Sequence, residues 1–259
     1  EIYLCNDFNE DDYYYINQKD GTYKEGIKEH FKHLSRFSMG SDIADINNDG
    51  YQDVMTLDMY PEDEKVEKSS VGEDPLDIYM YKLQFGYFNQ YSRNCLQLNM
   101  SGQKFADIAA SSGVAATDWS WSTLMADYDG DGLQDVVLVG EWMAPTFFKN
   151  VGKKLEKRDL PGMENLKGWY RTLEVGDFNG DGKPDLALGN QGYNTRMKGS
   201  NARPIRMYLN DFDQNGSIEQ ILHHQENNKS IPWVLKNTLV RQIPSLKKQN
   251  AIYPFYMLS

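Results

Sequence analysis

An acidic nine-residue loop that runs straight into an apolar strand recurs along this chain, and that recurrence restricts the fold to a repeat built from strands. The clearest copy is Asp127-Tyr128-Asp129-Gly130-Asp131-Gly132-Leu133-Gln134-Asp135, followed at once by Val136-Val137-Leu138-Val139. Oxygen side chains at positions 1, 3 and 5, glycine at 6 and an acid at 9 form the start of a hard-cation loop, where carboxylate oxygens gather and glycine permits a sharp turn. An EF-hand needs a bidentate Glu at position 12 and a helix beyond it. Here position 12 is Leu138, inside a β-branched run too short for a helix. Asp45, Asn47, Asp49, Gly50 and Asp53 repeat the pattern, as do Asp177, Asn179, Asp181, Gly182 and Asp185. A fourth, weaker copy is Asp211, Asp213, Asn215, Gly216 and Glu219, which lacks an acid at position 5. Asp, Asn and Gly also make tight turns with no metal, but three strong copies in register favour a calcium loop.

Charge points the same way. The four loops hold 13 of the 38 acidic side chains, leaving 25 against 27 basic residues elsewhere. The net charge of −11 is therefore concentrated where carboxylates repel one another unless a cation sits between them. Such a chain is a poor partner for phosphate backbones, so no nucleic acid is expected among its partners.

At 259 residues the chain is long enough for a single large all-β array, and 17 Tyr within an aromatic content of 13% suit strands. No run approaches the roughly 18 apolar residues of a membrane span, so no transmembrane segment is expected. Cys5 and Cys95 have no metal-ligand spacing. Gly-x-Ser-x-Gly, His-Glu-x-x-His and phosphate-loop patterns are missing from the sequence.

Along the chain, Glu1-Ile2-Tyr3-Leu4 aligns with the residues that follow each loop, so Glu1 takes position 9 of a loop whose earlier residues lie upstream. Tyr13 to Asn17 and Thr22-Tyr23 flank Asp20-Gly21, a strong hairpin signal. Leu96 to Asn99 with Lys104-Phe105, and Phe147 to Asn150 with Leu155, repeat that hairpin. A hairpin, a connector, a calcium loop and a strand make about four strands per unit, which is one propeller blade. Residues 61–93 form an insertion in which Asp74-Pro75 supplies an N-cap and first-turn proline ahead of Leu76, Tyr79, Met80, Leu83 and Tyr87 at helical spacing. The expected division is a propeller over 1–222 and a partly helical extension over 223–259, with a helix from Ile231 to Lys248 interrupted at Pro244. Trp119, Trp121 and Trp142 sit at connectors, where aromatics can stack on sugar but more often fill the core. His30 and His33 have helix spacing but no third ligand nearby, and the adjacent His223 and His224 point opposite ways on a strand.

With these residues placed, the chain resembles FG-GAP/VCBS repeat proteins, and is most similar to bacterial envelope proteins related to cartilage acidic protein that often carry an ASPIC/UnbV module. Phe37 to Asp42, Trp119-Ser120-Trp121, Gly140-Glu141-Trp142-Met143 and Asn210 to Ser217 carry the resemblance. It implies an all-β, calcium-bearing β-propeller, of which about four FG-GAP-type blades of a larger ring are present, the other blades lying upstream or downstream. It also implies export to the periplasm, cell surface or extracellular space and a non-catalytic role in binding or adhesion to glycan or protein partners. Calcium would be held at Asp45, Asn47, Asp49 and Asp53, at Asp127, Asp129, Asp131 and Asp135, and at Asp177, Asn179, Asp181 and Asp185. Tyr51, Leu133 and Lys183 would add backbone carbonyls at position 7. Ala251 to Ser259 leave the family pattern. An alternative is the propeller part of a polysaccharide lyase or glycoside hydrolase, which would need two metal-free carboxylates facing one cleft.

Overall fold

In the computed structural model, residues 1–70, 74–152, 154–160, 162–163, 165–192, 194–200, 202–226 and 229–249 are described. The expectation for Ala251 to Ser259 lies outside them. Of the described residues, Glu1–Glu67 and those within 74–190 belong to one compact unit, and Lys68–Ser70 with those within 191–249 to a second.

The first unit is a succession of antiparallel sheets with one short parallel pairing, of residues 34–35 with 90–91. It opens with β1 (Ile2–Leu4), β2 (Tyr13–Asn17) and β3 (Tyr23–Glu25), paired in that order, then α1 (Ile27–His30) and β4 (Leu34–Ser35). Next come β5 (Gly40–Ala44), β6 (Asp53–Leu57) and β7 (Met59–Tyr60), then α2 (Glu64–Ser70), α3 (Leu76–Gln84) and β8 (Gln90–Tyr91). β9 (Cys95–Met100) and β10 (Lys104–Asp107) complete a four-stranded sheet of order β10-β9-β6-β5, and α4 (Ala109–Ser112) follows. β11 (Asp118–Ala126), β12 (Asp135–Met143), β13 (Thr146–Asn150) and β14 (Leu155–Arg158) repeat that meander, and β15 (Gly168–Gly176) with β16 (Asp185–Asn190) begins another. Short pairings, β7 with β11 and the end of β12 with β15, stitch successive meanders together. The three hairpins expected from sequence are β2–β3, β9–β10 and β13–β14.

Why the strands after the loops are continuously apolar is clear from what covers them. Along β12, Val136 and Leu138 enter one core with Met55, Leu57, Leu96 and Phe148, while Val137 and Val139 enter another with Tyr170 and Leu173. β6 divides likewise, Val54 packing with Ile27, Phe31 and Phe105 and Met55 with the β12 side. Strands covered on both faces lose the alternation of half-solvated sheets. Face-to-face stacking of four-stranded meanders is the packing of propeller blades; among the described residues the sheets do not close into a ring.

One expectation about the insertion changes. Asp74 is not the helix cap. Pro75 takes that position with no side-chain cap bond, and the Asp74 carboxylate instead meets Arg36 Nη2 at 3.0 Å and Lys82 Nζ at 2.5 Å. Ion pairing to two cations outweighs a single cap bond. The apolar residues of α3 also stay largely uncovered, with none buried and Leu76 75% exposed. α1 is a single turn ending at His30, so His33 lies beyond it.

Just before β2, Asp12 is buried, accepting from Tyr3 Oη at 2.6 Å, Asn6 N at 2.8 Å and Ser38 Oγ at 3.0 Å. Burial outweighs these donors and pushes its carboxyl up to about 6. The folded pKa lies above the unfolded value near 4, so this group stabilises the fold as pH falls through 6 and costs stability above it. Asp12→Asn should remove that dependence. The difference in urea-unfolding free energy between variant and wild type should shift in the variant's favour by roughly 1.4 kcal/mol from pH 5 to 8; a difference independent of pH would refute the assignment.

The second unit carries β17 (Arg206–Asn210), β18 (Glu219–Glu226) and β19 (Lys229–Pro232) in one antiparallel sheet. Its sheet runs past residue 222. Residues 229–232, the end of which overlaps the expected C-terminal helix, are strand, and the helical part is α5 (Lys236–Gln242) and α6 (Leu246–Gln249), broken around Pro244. Ile221, Leu239 and Ile243 form its core. No helix among the described residues is long and apolar enough to cross a membrane.

Candidate metal centres

Each of the four acidic loops is the turn of a hairpin, joining β5 to β6, β11 to β12, β15 to β16 and β17 to β18. The segments entering the loops, connectors by sequence pattern, are strands. All four loops close in the same way. The position-1 carboxylate accepts the backbone N–H groups of positions 5 and 6: Asp45 from Asp49 and Gly50, Asp127 from Asp131 and Gly132, Asp177 from Asp181 and Gly182, Asp211 from Asn215 and Gly216, at 2.8 to 3.2 Å. The position-5 oxygen accepts the N–H of position 7: Asp49 from Tyr51, Asp131 from Leu133, Asp181 from Lys183 and Asn215 from Ser217, at 2.8 to 2.9 Å. Positions 4 and 6 are left-handed in every loop, through Asn48, Gly130, Gly180 and Gln214 and through Gly50, Gly132, Gly182 and Gly216. Two left-handed residues in a short turn explain the glycines. The backbone thereby points its position-5 to position-7 amides at the side-chain oxygens of positions 1 and 5.

Position 9 is where the loops meet the sheet. Asp53 and Asp135 are fully buried and Glu219 nearly so. Asp53 accepts from Ile46 N at 2.9 Å and Asn99 N at 2.7 Å; Asp185 from Phe178 N at 3.0 Å; Glu219 from Phe212 N at 2.7 Å. Asp135 Oδ1 accepts from Asn150 N at 2.8 Å, while its buried Oδ2 has no hydrogen-bond partner. Burial raises the Asp53 carboxyl to about 6 and lifts Asp135 above the usual carboxylate range, as expected for acids withdrawn from water without full compensation.

Two further residues complete the arrangement and escaped the sequence reading. Asn99 and Asn150 occupy equivalent places at the ends of β9 and β13. Besides binding the position-9 acid through the main chain, each sends Nδ2 to the carbonyl before it, Gln52 O at 3.2 Å and Gln134 O at 3.0 Å. Each also accepts the turn amide of Gly102 or Gly152. The shared Leu-Asn and Lys-Asn ending of the hairpin copies was the available signal. Asn150 Nδ2 also reaches Ile46 O at 2.8 Å, and Asn48 Nδ2 reaches Gly132 O at 2.7 Å, so the first two loops are held side by side.

One side chain enters the second loop from outside. Lys149 Nζ lies 2.7 Å from Asp129 Oδ1, 2.7 Å from Asp131 Oδ2 and 3.3 Å from Asp135 Oδ1. Loss of water disfavours its ammonium, but the three carboxylates together outweigh that and hold it well above the usual lysine range.

The donor chemistry fits a hard cation. Calcium binds six to eight oxygens, so ligands on opposite sides of the ion are about 5 Å apart. Carboxylate oxygens of Asp127, Asp129 and Asp131, and those of Asp211, Asp213 and Glu219, lie within 4.8 Å of one another. In the first and third loops Asn47 and Asn179 replace one acid, and each lies within hydrogen-bond reach of the position-5 carboxylate.

The tryptophans gather at the strand ends opposite the loops. Trp119 and Trp121 are part of β11 and Trp142 of β12. Trp119 Nε1 donates to Met59 Sδ, the Arg171 guanidinium lies 4.0 Å from the Trp121 ring centroid, and Trp142 packs edge-on against Trp169. His33 meets Asp107 Oδ2 at 2.9 Å with Cys95 nearby, partners that were not visible in sequence. Arg93 Nη2 is 3.0 Å from the same oxygen, so that carboxylate already has a cation, and burial pushes the Cys95 thiol up.

Residues 127–188, from the second loop into β16, match the family of FG-GAP-like repeats. No curated protein matches the chain.

Proposed function

We propose that this chain is a calcium-binding, non-catalytic β-propeller module of an exported protein, working in the periplasm, at the cell surface or outside the cell, where it binds a glycan or protein partner. The observation that carries the reading is the construction of one loop geometry four times over, with the same amide-to-carboxylate bonds and the same left-handed positions. Repeating a turn that crowds three or four oxygen side chains has a physical use when a cation joins them. The FG-GAP-like match over 127–188 and the resemblance to envelope proteins support export and adhesion. Buried acids outside the loops have structural duties: Asp58 accepts from Ser35 Oγ and from the amides of Arg36, Phe37 and Met59. This favours binding over glycoside cleavage.

Calcium should raise the melting temperature and EGTA should lower it. At calcium near 10 Kd each occupied site contributes about 1.4 kcal/mol. Asp49→Ala and Asp181→Ala should each remove one bound equivalent by calorimetric titration. A melt indifferent to chelator, together with calcium-free protein by elemental analysis, would eliminate the calcium reading.

A further inference from the structure

Lys149 distinguishes the second loop from the first. β9 and β13 run beside their loops in the same way, each passing its Asn amide to the position-9 acid, Asn99 to Asp53 and Asn150 to Asp135. The residue before that Asn is Leu98 in β9 and Lys149 in β13. The Lys149 side chain is only 16% exposed, and its ammonium spends its three donors on Asp129, Asp131 and Asp135, at positions 3, 5 and 9 of the loop. Those are three of the side chains that a divalent ion would bridge.

We propose that Lys149 is the built-in cation of the second loop, neutralising the carboxylate cage from within so that this loop is assembled without calcium and does not take it up. The inference rests on the calcium reading of the other loops for its contrast, but not for its own geometry. An ammonium and a divalent ion at one centre repel strongly in a partly desolvated cage. The lysine would have to swing out to admit the metal, leaving Asp135, fully buried, to lose one of its two polar contacts. The first loop has Leu98 in place of the lysine and is the natural control. Because Asn48 of the first loop bonds Gly132 of the second, a permanently assembled second loop also gives its neighbour a fixed wall.

Calcium titration of the full chain, with melting in EGTA and in excess calcium, separates the alternatives. Lys149→Met should melt roughly 5 °C below wild type in EGTA. It should recover in calcium and bind one more equivalent than wild type. In the wild-type background Asp131→Asn should leave calcium stoichiometry unchanged while lowering the EGTA melt. Loss of one equivalent in Asp131→Asn would overturn the proposal, because the second loop would then be binding metal despite Lys149. Unchanged melt and unchanged stoichiometry in Lys149→Met would overturn it too, and Asp131→Asn decides the matter if Lys149→Met fails to fold. Absence of calcium binding by the wild type would defeat the function proposed above. Lys149 would still be upheld if Lys149→Met then gained one equivalent.

Discussion

Gly140→Ala is expected to be among the most damaging single changes in the protein, lowering stability by about 3 kcal/mol or more. A Cβ at Gly140 would lie 1.9 Å from the carbonyl oxygen of Trp119 and 2.7 Å from Ser120 Cα. Both obstacles are backbone, so no rotamer change relieves them. The close approach has a cause in the sheet: β11 and β12 shift register between Ser120 and Ser122, and Gly140 pairs with Ser120 next to that irregularity. A bulge of this kind bends one strand toward its partner. For a chain of this size the loss corresponds to a melting temperature lower by roughly 6 to 12 °C. Gly130→Ala offers the comparison, since nothing lies within 4 Å of its added Cβ and only the left-handed φ of +80° opposes it. That substitution should cost about 1 kcal/mol. Equal losses in the two variants would show that the Trp119 carbonyl yields.

Asn150→Leu should come next, at roughly 3 kcal/mol by equilibrium unfolding in urea. Leucine matches asparagine in size but leaves Ile46 O, Gln134 O and Gly152 N without the partners they have at 2.8 to 3.0 Å. Asn150 is buried, so water cannot replace those bonds. Asn99→Leu removes the same kind of contacts at a half-exposed place, where the carbonyl of Gln52 and the amide of Gly102 can turn to solvent. It should cost about 1 kcal/mol. If the two variants lost the same stability, burial would not be what sets the worth of this residue.

How much of this was readable from the chain differs by element. The loops were legible because positions 4 and 6 demand left-handed backbone and positions 1 and 5 demand side-chain acceptors, and few residue types satisfy both. β6 and β12 were legible because strands covered on both faces are apolar without interruption. The strands entering the loops were not. Asp118-Trp119-Ser120-Trp121-Ser122-Thr123 carries polar residues at alternate places, and its strand character is imposed by pairing with β12 across the turn. Lys149 was equally hidden. A lysine at the end of a strand ordinarily reaches water, and only the fold shows that the nearest acceptors are Asp129, Asp131 and Asp135. Asp74 misled for a related reason, since its two cationic partners, Arg36 and Lys82, become neighbours only after folding.

The insertion between β6 and β9 has a consequence for the order of assembly. β12 and β13 are separated by Ala144 and Pro145 alone, so their pairing follows almost immediately along the chain. β6 must instead wait for β9 to return after residues 58–94, although the two strands pair as closely once together. Ring-closure entropy grows with the logarithm of the intervening length, and a difference of about four doublings makes the second closure on the order of 2 kcal/mol more costly. The β11–β14 meander can therefore form as a local nucleus whose Val136 and Leu138 face is already presented, and the sheet carrying the insertion is recruited onto that surface rather than built independently of it.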